Sequence, residues 1–166
     1  MRKTIILLAA TAPVLAACGT DDPDNIPLRG NWEMTTHLDS LTVDGTVVPP
    51  EMLPPEISSL NATDSQCGEP VFTDREWEQG LLDWRAGGAC QFESYEMNGA
   101  RVVASGTCQD VGGVGGFNPR FEASVVQRED NFRLVATMEG SAEIPGQGTH
   151  YLKIIAVQQG NRTGDC

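Results

Sequence analysis

The stretch from Cys90 to Cys108, "CQFESYEMNGARVVASGTC", constrains the fold of this chain more than any other. Asn98-Gly99 stands at its middle, and the residues on either side suit strands, which is a hairpin signal. Cys90 and Cys108 are equidistant from Gly99, so the two strands would bring them face to face. A strict two-residue Asn-Gly loop would set Cys90 opposite Thr107 instead. An odd-numbered loop or one bulge restores the match, with Gly106 as the candidate bulge. Of the five cysteines, four follow residue 60: Cys67, Cys90, Cys108 and Cys166. Four cysteines allow three connectivities, and spacing alone does not choose among them. The hairpin favours Cys90–Cys108, and Cys67–Cys166 then follows by elimination. No pair has the CxxC spacing usual for structural zinc, so disulfides are expected rather than a metal. Cys166 is the last residue, where chain ends fray. A staple to Cys67 would hold it down and, by closing a long loop, add ~4 kcal/mol in the chain-entropy model.

Disulfides require an oxidising compartment, and the start of the chain agrees. "MRKTIILLAATAPVLAAC" has a basic beginning (Arg2, Lys3), a short apolar run broken by Pro13, and small residues before Cys18. It reads as a secretory signal, too short for a membrane span. Leu15-Ala16-Ala17-Cys18 resembles the bacterial lipobox. That resemblance implies cleavage after residue 17 and three acyl chains on Cys18, at ~0.8 kcal/mol per buried methylene. Gly19 rather than Asp follows the cysteine, which by resemblance favours sorting to the outer membrane, facing the periplasm. The expected organisation is a lipoprotein signal peptide at 1–17, an acidic lipidated tether at 18–28 rich in Asp and Pro, and a single domain at 29–166.

The formal net charge is −12. Loss of Arg2 and Lys3 with the signal makes it −14, since that segment carries no acidic residue. Such a chain lacks the basic footprint of a nucleic-acid binder. It also repels anionic lipid surfaces, so membrane contact is expected through the lipid anchor alone.

"NWEMTTHLDS" alternates, with Trp32, Met34, Thr36 and Leu38 on one face, and reads as a half-buried strand. "VDGTV" is a turn between extended pieces, and the proline pairs of "VPPEMLPPEI" make a surface loop. "TDREWEQGLLDW" predicts one helix with a Thr73–Glu76 capping box and a stripe of Trp77, Leu81 and Trp84, ended by Gly87-Gly88. That stripe is expected to be core, not an exposed platform. Strands follow at 89–97 and 100–108, then in "FEASVVQ", "FRLVATM" and "HYLKIIAVQ", with "VGGVGG" as a loop. The predicted fold class is α+β, mostly β: a curved antiparallel meander sheet, half-barrel or barrel-like, covered by one helix.

Chemistry-bearing constellations are sparse. "VGGVGG" lacks the Lys-Ser/Thr pair of a phosphate loop, and no Gly-x-Ser-x-Gly elbow occurs. The two histidines are His37, on the polar face of its strand beside Asp39, and His150. His37 could serve as a metal ligand or as a general base with Asp39, but a solvated histidine on a sheet surface is the expectation. The acidic residues show no calcium-loop spacing. No catalytic, cofactor or metal residue is assigned. Two Asn-x-Thr sequons, at Asn61 and Asn161, carry no weight beside a bacterial lipobox.

Several marks together resemble domain-of-unknown-function family 3617 of proteobacterial envelope proteins. They are Gly30-Asn31-Trp32-Glu33 near the start, the Pro- and Met-bearing stretch before Cys67, the helix after it, a cysteine at each end of the hairpin, and the ending "GNRTGDC". The "VGGVGG" insertion departs from that pattern. The resemblance implies fold and compartment and no activity. Three functions then stand as expectations. The first is a non-enzymatic envelope domain, binding a protein partner or carrying a small apolar ligand between the sheet and its cover. The second is a purely structural lipoprotein, and the third a hydrolase using His37 or His150.

Overall fold

A computed structural model describes residues 24–53, 61–85, 89–111, 116–144 and 146–166, the side chains at 84 and 85 excepted. Eight strands form one antiparallel sheet: β1 (Gly30–Val43), β2 (Thr46–Val47), β3 (Ala62–Gly68), β4 (Cys90–Asn98), β5 (Arg101–Cys108), β6 (Arg120–Gln127), β7 (Asn131–Ile144) and β8 (Gly148–Gly164). The order is β2-β1-β8-β7-β6-β5-β4, with β3 also on β1. The expected meander of five strands is β4 to β8, and β1 returns to lie beside β8. β2 and β3 share the other edge of β1, pairing with Thr42–Val43 and with Gly30–Thr36 respectively. β4 is the far edge. The sheet is therefore open, not closed into a barrel.

β3, "ATDSQCG", was not expected. It has no apolar alternation, because nearly all of it is exposed. It is held by pairing to β1 and by the Cys67–Cys166 disulfide, not by burial. β1 runs longer than its alternation suggests because its register with β8 shifts between Leu38 and Ser40. The bulge at Asp39 rephases the strand, so that Leu38 and Leu41, three apart, both join the same apolar cluster.

The hairpin also differs in detail. Asn98 pairs with Arg101, so the loop is Gly99-Ala100. The bulge lies in β4 at Glu93, between Phe92 and Ser94, with Gly106 opposite it rather than forming it. The shifted loop and the bulge together put Cys90 opposite Cys108.

The expected single helix is two five-residue pieces, α1 (Asp74–Glu78) and α2 (Leu81–Arg85). Thr73 caps α1, its Oγ1 accepting from the Glu76 N–H at 3.4 Å. Gly80, at φ +67°, takes the left-handed conformation that ends a helix. This break destroys the 3.6-residue phase on which the Trp77–Leu81–Trp84 stripe depends. Trp77 and Leu81 are each 37% exposed, while Leu82 and Glu76 are buried. The expectation of a buried stripe fails for those two residues, and the Trp84 side chain lies outside the described residues. The Gly87-Gly88 terminator and most of "VGGVGG" also lie outside them.

One face of the sheet carries two apolar clusters. The first contains Trp32, Tyr95, Val102, Val125 and Phe132, covered by Leu82 and Phe72. The second contains Leu41, Ala142, Leu152 and Ile154, covered by Phe117, Val48 and Leu53.

The residues of "GNWE" and "GNRTGDC" come together at one end of this sheet. Trp32 is fully buried, and its Nε1 donates to Leu28 O at 3.0 Å. Arg162 crosses β1 to donate from Nε to Arg29 O at 2.9 Å and from a terminal nitrogen to Asp165. Asn31 Nδ2 donates to Asp165 O at 2.7 Å. A Cβ at residue 30 would overlap the Arg162 guanidinium and Gly164 O, so only glycine lets the arginine pass. The Cys67–Cys166 disulfide seals the same corner. These motif residues hold the first and last strands together.

Candidate functional site: an alanine trough on the apolar face

Cross-strand register lays the apolar face out in rows, because residues directly opposite one another point to the same side. One row reads Tyr95, Ala104, Ala123, Ala136, Ala156 and Leu38, across β4, β5, β6, β7, β8 and β1. Its neighbour on one side reads Val102, Val125, Leu134, Gln158 and Thr36. The neighbour on the other side reads Phe121, Met138, Ile154 and Leu41. Three consecutive strands, β6 to β8, thus place a methyl group where both flanking rows place larger side chains; on β5, Ala104 lies between Val102 and Gly106. The result is a trough between the two clusters.

The clusters have covers, and the trough floor between them is less enclosed. Ala104 is buried near the helices, but Ala123, Ala136, Ala156 and Leu38 are only half-buried, as are Leu134 and Met138 along the walls. At ~4.8 Å between strands, the half-buried part from Ala123 to Leu38 spans about 14 Å. One wall carries a polar pair: Gln158 Nε2 donates to Thr36 Oγ1 at 3.2 Å. The chemistry on offer is apolar contact over a length of chain, with one carboxamide–hydroxyl pair to orient a polar end. The sequence shows Ala123 and Ala136 as inward positions of their strands. It takes the register to align them with Ala104 and Ala156.

The histidines lie apart. His37, on β1 opposite Val157, points to the other face of the sheet and is half-buried. His150 belongs to the apolar face, opposite Ala142 near the end of β8. Its Nδ1 lies 2.7 Å from Asp44 Oδ2, an aspartate the sequence reading did not single out. Asp44 forms the tight β1–β2 turn with Gly45, and its Oδ1 also accepts from the Tyr151 N–H at 2.9 Å. The Tyr151 N–H and the His150 hydrogen bond hold the Asp44 carboxyl below its ordinary range. The Asp44 hydrogen bond in turn raises His150 above its ordinary value, against the cost of desolvation. His150 Nε2 is enclosed and has no partner among the described residues. The nearby Thr149 hydroxyl donates to Glu143, which leaves this dyad without a poised nucleophile among the described residues.

Cys90 is bonded to Cys108 and Cys67 to Cys166. Cys18 lies outside the described residues. Among the described residues no helix is long and apolar enough to cross a membrane.

A family model described as "Protein of unknown function (DUF3617)" matches residues 27–166. The chain belongs to this family. The match begins just before "GNWE" and runs through the terminal cysteine, so both ends of the corner built around Trp32 and Arg162 fall within the family's domain. No curated protein and no solved structure matches the chain.

Proposed function

We propose that this member of the family is a non-enzymatic, lipid-anchored envelope protein that holds a small apolar ligand in the alanine trough. The half-buried row Ala123–Ala136–Ala156, left between two covered clusters, carries the reading. A domain built only for structure gains by filling such a row with larger side chains, because each buried methylene contributes ~0.8 kcal/mol. Four small side chains in register instead keep a channel's width open. The ligand fits as an unbranched apolar chain with one polar end at Gln158 and Thr36. The hydrolase alternative has less support: the histidines lie on opposite faces, and the His150–Asp44 pair lacks a nucleophile among the described residues.

The anchor rests on Leu15-Ala16-Ala17-Cys18, and Gly19 favours the outer membrane with the domain in the periplasm. Cys18→Ser should release a soluble periplasmic protein; a variant that still pellets with membranes would contradict the anchor. Native mass spectrometry of protein purified from its own envelope tests the ligand, which should appear as a discrete added mass. That mass should be lost in Ala136→Phe, whose ring would occupy the trough.

A further inference from the structure

The outer edge of the sheet carries a second concavity, beyond the Tyr95 end of the alanine row. It is a groove of about 480 Å³ between α1 and β4, lined by Asp74, Trp77, Glu78, Tyr95, Glu96 and Met97. The Trp77 and Tyr95 rings stack with centroids 6.3 Å apart and planes 14° apart. Trp77 is 37% exposed, whereas Tyr95 is only 9% exposed. The Tyr95 hydroxyl is buried and has no partner among the described residues. Nor do the carboxylates of Asp74, Glu78 and Glu96 have an ion-pair partner among the described residues.

We infer that this groove binds a small organic cation with an apolar body, an alkylammonium compound. Such a cation and this groove are complementary. Aromatic faces attract a diffuse positive charge through the ring quadrupole, and tryptophan does so best. Met97 and the Trp77 ring offer apolar surface for the body of the ligand. Three unpaired carboxylates on the rim supply the field that concentrates cations. Among the described residues no group of three His, Cys, Asp or Glu side chains converges closely enough to hold a metal ion, so the carboxylates surround the groove rather than chelate. A compact inorganic ion gains little from rings and dispersed charges; a bulky ammonium gains from both. The acidic field reaches the floor: burial first, then the Asp74 and Glu76 carboxylates, push the Tyr95 phenol above its ordinary value.

Isothermal titration of the folded domain with hexyltrimethylammonium and hexylammonium, and with hexanol as the neutral control, tests the inference. Both cations should bind saturably, at least tenfold more tightly than hexanol, and more weakly at 500 mM than at 50 mM salt. Trp77→Leu should weaken cation binding at least tenfold. Glu78→Gln, at an exposed position, should weaken it several-fold and reduce the salt dependence. Hexanol binding as well as the cations would overturn the inference. So would unchanged affinity in both variants, or binding of an oligolysine peptide with neither small cation binding. Ala136→Phe should leave cation binding intact, which separates this groove from the trough.

Discussion

Gly160 lies on β8 directly opposite Phe132 of β7. A Cβ built at residue 160 would penetrate the Phe132 ring, with its Cδ1 at 2.6 Å and Cζ at 2.7 Å. The ring has little room to retreat. Phe132 is 3% exposed, 6.0 Å from the Trp32 ring and 5.5 Å from the Phe72 ring. Gly160→Ala therefore forces either the ring off its rotamer or β8 away from β7. Overpacking a filled core costs ~1–3 kcal/mol. Here the obstacle is a ring locked by two others, so the upper part of that range applies, against a total stability of ~5–15 kcal/mol. For a domain this size ~2–3 kcal/mol lowers Tm by roughly 8–12 °C. Urea denaturation followed by circular dichroism measures the loss, and a double-mutant cycle identifies its cause. Phe132→Leu alone should destabilise by removing packing, yet in that background Gly160→Ala should cost less than half as much. Strict additivity, within ~0.5 kcal/mol, would refute the steric argument and leave only a backbone effect at residue 160.

The Asp44–His150 pair predicts a pH window. Asp44 is lowered from 3.8, so its contribution is present above that value and lost as pH falls through the folded value. His150 is raised from 6.5, so its contribution is complete below 6.5 and lost as pH rises through the folded value. Their link should thus stabilise most between those two ordinary values. An NMR titration should place His150 above 6.5 and return it downward in Asp44→Asn; no difference between the two proteins would dissolve the link. Cys166→Ser opens a loop whose ends are 99 residues apart. It should cost ~2–5 kcal/mol in urea melts, more than Cys108→Ser, whose loop spans only 18 residues.

How much was legible follows from which signals survive without register. The meander was readable because β4 to β8 alternate apolar and polar residues between clear turns. The hairpin cysteines are readable because nine residues on each side of Gly99 nearly fix their meeting; the loop lies one residue further along than expected, and the bulge lies on β4 rather than β5. β3 was invisible, since an exposed edge strand held by pairing and a disulfide carries no apolar pattern. The helix was misjudged because Gly80 sits inside a good helical period, and its left-handed backbone outweighs that period. The trough could not be read at all. Ala123, Ala136 and Ala156 are unremarkable singly and acquire meaning only when three strands align them. Asp44 was missed for the same reason: it is 106 residues from His150.

If the alanine row is a ligand channel, filling it must weaken binding. A fluorescent long-chain fatty acid titrated into the wild-type domain and into Ala136→Phe compares an open trough with a filled one. Circular dichroism confirms that both are folded. Binding to the wild type should be saturable and at least tenfold weaker in the variant, with stability unchanged or raised by the added apolar contact. Equal affinity in the two proteins, or a variant that unfolds because residue 136 was already packed, would contradict the channel.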